Sequence, residues 1–191
     1  MQPRKGSKFQ TGHVCPWWLA YTFDNPIRKL FHSPAKILGP YLQVGMTVMD
    51  VGCGMGYFSI GMAKIIGANG RVFCVDLQTK MLEITQKRAA RAGVAARIFP
   101  HRCGPDRIGL QEKIDFILVF WMAHEVQNQP TFFSELKSSL TPAGKILVAE
   151  PRMHVSAESF QKTIDLAQAA GLHPCGRPVI RFSRTALFEI G

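Results

Sequence analysis

Hydrophobic positions from Met46 onward alternate between the period of a strand and that of a helix. Short β-branched and apolar runs end at glycine or polar residues, and between them apolar residues recur three and four apart. This pattern predicts strands over residues 47–51, 71–76, 96–100, 114–120 and 145–150, with two more within 172–181 and 184–190. It predicts helices over residues 57–66, 79–92, 130–140 and 156–170, the second of them capped by Thr79.

Strands separated by helices of this length pair in parallel through right-handed crossovers. The sequence therefore predicts an α/β fold: a doubly wound, Rossmann-like, mostly parallel sheet of seven strands with helices on both faces. The run 114–120 is continuously apolar, which is typical of a strand covered on both sides. The last two strands follow each other closely, so we expect a C-terminal hairpin.

Residues 1–40 differ from the rest, since they combine aromatic side chains, prolines and six Lys or Arg against one acid. We interpret them as a helical extension laid over the open end of the sheet, with residues 41–191 as the main domain. A hydrophobic clasp packed on the sheet is the alternative. The hydroxyl of Tyr21 is the group of this extension expected to reach a ligand.

Composition narrows the class of protein. A hydrophobic content of 47% and five scattered cysteines indicate a globular protein of a reducing compartment rather than a disulfide framework. No apolar run approaches bilayer length and no secretory pattern follows Met1, so we expect a cytoplasmic protein without membrane contact. The net charge of +10 keeps nucleic acid as a less favoured partner, because no dense Lys/Arg block or aromatic-basic motif accompanies it. The oligomeric state is left open.

Residues 50–56, Asp-Val-Gly-Cys-Gly-Met-Gly, follow the first predicted strand. Ligands of open parallel sheets bind beyond the carboxyl ends of the strands, where glycines let backbone N–H groups approach them. The dinucleotide pattern G-x-G-x-x-G is absent, because Tyr57 or Ser59 would stand at the third glycine, and the Walker lysine is also absent. Asp50 would repel a pyrophosphate, but it suits a cationic group or orients the loop.

Residues 48–56 resemble the glycine-rich signature of class I S-adenosylmethionine (SAM)-dependent methyltransferases. Asp76 resembles their ribose-binding acid, Asp115 the start of their fourth strand, and residues 140–147 the turn before their fifth. Asp115 could equally cap the entry of its strand. The resemblance covers about residues 40–191 and is nearest to the branch with quinone-biosynthesis and other small-molecule methyltransferases.

The resemblance implies that residues 41–191 bind SAM as cofactor and that the acceptor is a small molecule. It implies that residues 1–40 form a lid, and that the cofactor contacts Asp50, Gly52, Cys53, Gly54, Gly56, Tyr57, Asp76, Leu77, Cys103, Phe120 and Tyr21. The sequence departs from the class after the third strand. Cys103 stands near the place of the adenine-binding acid and Asp106 follows three residues later, so the adenine contact is left open.

Residues 120–126 follow the fourth strand and are expected to face the transferred methyl group. His124 there has a side chain suited to proton removal at neutral pH, and we name it as the candidate catalytic residue. A backbone-bonded loop histidine is the alternative, because methyl transfer needs a base only when the nucleophile starts protonated.

Three His-x-Cys pairs, at residues 13–15, 101–103 and 173–175, match no motif of the class. In a strand such pairs share one face and could hold a soft metal or grip a thiophilic acceptor such as arsenite. Their spacing differs from known zinc sites, so no metal is assigned. The competing functions are an RNA or protein methyltransferase and a SAM-binding module without catalysis.

Overall fold

The computed structural model describes residues 31–105 and 107–191. Within them lie the strands β1 Thr47–Val51, β2 Arg71–Asp76, β3 Ile98–Arg102, β4 Ile114–Phe120, β5 Leu140–Pro151, β6 Leu172–Gly176 and β7 Ser183–Ile190. The helices are α1 Pro34–Leu38, α2 Tyr57–Ile65, α3 Thr79–Arg91, α4 Gln129–Ser139 and α5 Ala157–Ala169, with 3₁₀ turns at Ala95–Arg97 and Ala123–Glu125. No helix within these ranges is long and apolar enough to cross a membrane.

The strands form one sheet in the order β3-β2-β1-β4-β5-β7-β6. The pairs among β1 to β5 are parallel, whereas β7 runs antiparallel to both β5 and β6. The predicted doubly wound sheet with a C-terminal hairpin is confirmed. Parallel pairing of the first five strands brings their carboxyl ends to one edge, and ligands of such sheets bind there.

Two apolar layers cover the sheet. Met49 and Val51 of β1 pack into the layer formed with α4 and α5, and Val48 packs into the layer formed with α1, α2 and α3. Successive residues of a strand point to opposite faces. Asp50 therefore faces the same side as Val48, toward α2.

Three local predictions were shifted. β3 begins at Ile98 because residues 95–97 form a 3₁₀ turn. β5 begins at Leu140 rather than at residue 145. Leu140 pairs with Ile114 of β4, and the register between the two strands shifts after this pair. Thr79 is the first residue of α3 rather than its cap, and Gln78 holds the cap position without a side-chain hydrogen bond.

The predicted extension is described only from residue 31. Leu38 of α1 is fully buried and belongs to the same apolar layer as Met62 of α2. Residues 31–40 therefore pack on the main domain, and residues 1–30, with Tyr21, lie outside the described residues. The division at residue 40 stays a prediction.

Candidate functional site

A cavity of about 360 Å³ opens at the carboxyl edge of the sheet. Its walls come from the segments that follow the first five strands in turn. The lining residues include Asp50, Gly52, Cys53, Gly54, Tyr57, Asp76, Leu77, Cys103, Phe120, Trp121, Met122, His124, Val126, Asn128 and Phe132.

The glycine loop bends over the end of β1. The backbone N–H groups of Gly52 and Cys53 both donate to the carbonyl of Val75, at 2.9 and 3.1 Å, which ties the loop to β2. Gly54 has a φ of 53°, and an added Cβ there would meet no atom within 4 Å. Gly52 has a φ of 69°, and a Cβ would lie 2.8 Å from Cγ of Met122. Gly54 thus presents bare backbone to the cavity, and Gly52 lets the segment after β4 approach.

Gly56, where the resemblance predicts a cofactor contact, lies outside the cavity lining and spaces two helices. It lies at the start of α2, with a φ of 75°. A Cβ there would lie 2.5 Å from Cγ2 of Thr85, so the absence of a side chain lets α2 and α3 approach. Thr85 also donates from Oγ1 to the carbonyl of Gly54 at 2.9 Å.

Asp76 ends β2 and joins the loop to the second wall of the cavity. Its Oδ2 accepts from the backbone N–H of Gly54 at 3.0 Å, and its Oδ1 accepts from that of Gln78 at 2.9 Å. Burial raises the pKa of Asp76, and backbone hydrogen bonds from Gln78 and Gly54 act in the opposite direction. Each carboxylate oxygen keeps a further lone pair for a ligand hydroxyl.

The other two acids singled out in the sequence, Asp50 and Asp115, lie at opposite edges of the sheet. Asp50 is buried, lines the cavity and accepts at Oδ2 from the hydroxyl of Ser59 in α2, at 2.5 Å. Asp115 lies at the opposite edge of the sheet, where it accepts from the backbone N–H of Thr47 and the hydroxyl of Thr141. Asp115 fixes the start of β4, in agreement with the structural interpretation.

The predicted cavity cysteines are protonated thiols. A side-chain hydrogen bond with Cys74 and burial raise the pKa of Cys53 well above its usual value. Burial raises the pKa of Cys103 to about 11, with a smaller contribution from the charge of Asp76. Reactive cysteines need lowered pKa values, so these thiols serve as cavity wall.

His124 and Glu150 form a pair beside the cavity. His124 lies in the 3₁₀ turn after β4, and Glu150 lies near the end of β5, the adjacent parallel strand. Glu150 is 1% exposed and accepts from the backbone N–H of Ala123 at 2.7 Å and from Nδ1 of His124. The hydrogen bond to Glu150 raises the pKa of His124, and partial burial opposes it.

The turn that carries His124 begins with an unusual backbone conformation. Trp121 has a φ of 60°, in the left-handed region that non-glycine residues rarely adopt. Its backbone N–H donates to the carbonyl of Ala149 at 2.7 Å, and its indole Nε1 donates to Ser183 Oγ at 2.9 Å. Such outliers persist where the surroundings hold them and occur often at functional sites.

The cavity thus brings together ten of the predicted site residues, whereas Gly56 lies outside its lining and Tyr21 outside the described residues. Sequence reasoning missed the wall residues Asn128 and Phe132 and the buried partner of His124, Glu150. Glu150 had one available signal, because a charged residue at the end of an apolar strand predicts a paired or ligand-binding side chain.

The two His-x-Cys pairs within the described residues, at 101–103 and 173–175, show no metal site. His101 bonds through Nε2 to the carbonyl of Ile108, and Cys175 lies 3.8 Å from Nζ of Lys145. Within residues 31–105 and 107–191, no group of three or more His, Cys, Asp or Glu side chains could hold a metal ion. The pair at residues 13–15 and Asp106 lie outside the described residues.

Comparison with known proteins identifies relatives of the chain. Residues 42–175 match the family described as "Methyltransferase domain". The chain is 29% identical over 128 residues to the probable cobalt-precorrin-6B C(15)-methyltransferase (decarboxylating) of Pyrobaculum aerophilum, covering 67% of this chain and 62% of that protein. It is 29% identical to the protein-L-isoaspartate O-methyltransferase of Thermotoga maritima over 56% of this chain and 32% of that protein.

A quinone-pathway relative also matches. The demethylmenaquinone methyltransferase of Oceanobacillus iheyensis is 24% identical over 57% of this chain and 46% of that protein. The chain thus spans less than two thirds of the length of each of these three relatives.

A solved structure has the same fold. A SAM-dependent methyltransferase from Aquifex aeolicus superposes with a TM-score of 0.84 at 21% identity, covering 93% of this chain and all of that one. At this identity the likeness shows the fold alone, and the family assignment rests on the sequence match over residues 42–175. The chain belongs to the methyltransferase-domain family, within the class I SAM-dependent methyltransferases.

Proposed function

We propose that this chain binds SAM in the cavity at the carboxyl edge of its sheet and transfers the methyl group to a small molecule. The observation that carries the proposal is that the glycine loop and Asp76 converge on one cavity and are hydrogen-bonded to each other. The ligand, the reaction and the class of acceptor named here all go beyond the family assignment.

The residues present fit SAM. The oxygens of Asp76 have lone pairs for the two ribose hydroxyls, and the carboxylate of Asp50 suits the ammonium of the methionyl part. Gly54 leaves open space where a side chain would meet the ligand. Leu77 and Phe120 supply apolar walls for the remaining parts.

Bound SAM supplies a methyl group attached to a positively charged sulfur. The protein has to align an acceptor with that group and keep water out. Apolar side chains beyond β4 are placed to do so, because Trp121, Met122, Val126 and Phe132 line the same cavity. A volume of about 360 Å³ lies in the range of small-molecule and cofactor sites.

A protein or RNA acceptor is the second candidate. The net charge of +10 favours it, as does the likeness to a protein-L-isoaspartate methyltransferase. Methylation assays with labelled SAM separate the two candidates when the cell extract is divided into small-molecule, protein and RNA fractions. Label that appears only in the small-molecule fraction supports the proposal, and label in protein or RNA that falls steeply with added salt supports the second candidate.

Calorimetry with SAM and its product, S-adenosylhomocysteine, tests the site directly with two matched variants. Gly54 and Gly93 both have positive φ and open space at the Cβ, but Gly93 lies at the end of α3, away from the cavity. Valine at either position strains the backbone by about 1–2 kcal/mol. We expect Gly54→Val to abolish SAM binding and Gly93→Val to leave it within about twofold. Equal affinity in the two variants contradicts the proposed cradle.

A further inference from the structure

The proposed methyl-transfer site contains a pair of hydrogen-bonded side chains, His124 and Glu150. Binding of SAM alone does not require such a pair. Glu150 is 1% exposed and has both oxygens occupied, one by the backbone N–H of Ala123 and one by Nδ1 of His124. A carboxylate oxygen can only accept, so a hydrogen bond between the Glu150 carboxylate and His124 requires the proton on Nδ1. Either charge state of His124 then keeps Nδ1–H toward Glu150.

This orientation leaves Nε2 as the nitrogen that can exchange a proton. His124 lines the cavity with 30% of its side chain exposed, and within the described parts of the chain its Nε2 makes no hydrogen bond. A histidine whose Nδ1–H is held by a buried carboxylate has a fixed tautomer and a more basic Nε2. The arrangement matches the requirements of a general base.

We propose that His124 is the general base of the reaction, that Glu150 is its positioning residue, and that the acceptor carries a hydroxyl group that is protonated when it arrives. This inference rests on the proposed function and adds the class of acceptor to it. The acceptor oxygen forms a bond to the methyl carbon, and the carbon–sulfur bond breaks with its electron pair going to sulfur. The hydroxyl proton goes to Nε2 of His124.

The choice of a hydroxyl follows from acidity. A phenolic hydroxyl has a pKa of about 10 and stays protonated at neutral pH, whereas a thiol, with a pKa of about 8.5, ionises in part without help. A neutral amine attacks through its own lone pair. An acceptor hydroxyl is therefore the group that gains most from a base beside the methyl group.

Two carboxylates bear on the pKa of His124. Glu150 of β5 and Glu125 of the same turn raise the pKa, and partial burial lowers it. Further groups line the same cavity from the other elements: Asp50, Asp76, Cys103, Arg107, Glu135 and His154. Removing the charge of Glu150 is expected to lower the pKa of His124, because that carboxylate contributes the largest rise.

Nuclear magnetic resonance of the ligand-free protein gives a test that needs no acceptor. Long-range ¹⁵N spectra should show His124 with its proton on Nδ1, and Glu150→Gln should move its titration to lower pH. The control is His173→Gln, which removes an exposed histidine on β6 and should leave the His124 signal unchanged. A neutral imidazole with its proton on Nε2 rather than Nδ1, or a titration that Glu150→Gln does not move, overturns the positioning role.

Kinetics with defined acceptors give the second test. Phenol and catechol carry protonated hydroxyls, and 4-nitrophenol is ionised above its own lower pKa. His124→Gln should lower kcat for phenol and catechol about 10²- to 10⁴-fold, and it should change kcat for ionised 4-nitrophenol far less. The rising limb of the wild-type pH profile should shift to lower pH in Glu150→Gln. Equal losses for all three acceptors, or methylation of none of them, overturn the inference.

Different results would contradict the proposed function and the His–Glu inference. Wild-type protein that does not bind SAM in calorimetry contradicts the proposed function itself. Normal SAM binding in the wild type and in His124→Gln, combined with full methylation of phenol by that variant, contradicts only the His–Glu inference.

Discussion

At the scale of residues, the carboxylate of Asp76 is tied to the loop before any ligand arrives. It accepts from the N–H groups of Gly54 and Gln78, and burial raises its pKa. The same oxygens are the expected partners of the ribose hydroxyls. A single side chain thus shapes the loop and presents charge to the ligand.

We expect Asp76→Asn to weaken SAM binding by about 1.5–3 kcal/mol, or roughly 10- to 150-fold, because hydrogen bonds to a charged group are lost. Calorimetry measures the change. Asp115→Asn is the matched control, since Asp115 bonds to Thr47 and Thr141 at the opposite edge of the sheet. The control should lower the free energy of unfolding and leave SAM affinity unchanged. If both variants weaken binding equally, Asp76 does not contact the ligand.

The raised pKa of Asp76 also predicts a pH effect on stability. The folded protein keeps the Asp76 proton to higher pH than the unfolded chain does, so the unfolded state binds fewer protons in that range. Ionisation therefore lowers the free energy of unfolding as pH rises from the ordinary Asp value to the raised one. Compared with Asp76→Asn, the wild type should lose stability as pH rises above the ordinary Asp value of about 4 and through the raised pKa of Asp76. A difference in denaturant midpoints that stays constant with pH contradicts this.

At the scale of elements, α3 fastens the glycine loop from behind. Thr85 is fully buried and donates from Oγ1 to the carbonyl of Gly54, and Arg88 donates from Nη1 to the carbonyl of Met55 at 2.9 Å. Two successive loop carbonyls are thus held by side chains one turn apart on one helix. The loop conformation depends on the docking of α3 as well as on its own glycines.

We expect Thr85→Val to loosen the loop, because valine has the shape of threonine but no hydroxyl for the Gly54 carbonyl. The variant should lose about 1–3 kcal/mol of stability and bind SAM several-fold more weakly. Thr163→Val in α5 is the control, since Thr163 is also buried and donates to the carbonyl of Ser159 at 3.3 Å, but on the other face of the sheet. Denaturant unfolding and calorimetry should show a stability loss in both variants and an affinity loss in Thr85→Val alone.

Elements with strong local signals could be predicted from the sequence, and contacts between elements could not. β1 and β2 have the predicted bounds, because their apolar runs end at Gly52 and Asp76. β3 was misplaced by two residues because the apolar character of Ala95 and Ala96 does not distinguish a 3₁₀ turn from a strand. The pairing of His124 with Glu150 joins residues 26 positions apart, and it depends on how the ends of β4 and β5 aim their side chains.

At the scale of the whole molecule, parallel pairing explains why distant segments form one site. The loops after β1, β2, β3 and β4 all reach one cavity because those strands point the same way. The family signature lies in the first two of these loops. We propose that the acceptor binds beside the later ones, where the sequence is less regular. For this reason the cofactor could be predicted from the sequence more sharply than the acceptor.

The N-terminal extension is the part of the molecule whose role is predicted only from its composition and from the family resemblance. Residues 1–40 carry six of the 23 Lys and Arg residues together with Trp17, Trp18 and Tyr21, which suits a cover over a site rather than a free tail. Leu38 is fully buried and His32 is 2% exposed, with its ring 5.0 Å from that of Trp121. A deletion that tests the cover must therefore stop before these residues.

We expect a variant that lacks residues 1–30 to fold and bind SAM, because among the described residues the cavity lining begins at Asp50. If the extension closes over the site, the deletion should lower acceptor methylation by orders of magnitude, since a lid excludes water and completes the acceptor pocket. Limited proteolysis of the full chain checks closure independently: cleavage within residues 10–30 should slow when S-adenosylhomocysteine is added. Equal cleavage with and without that ligand, together with full activity of the shortened chain, would show that these residues take no part in the site.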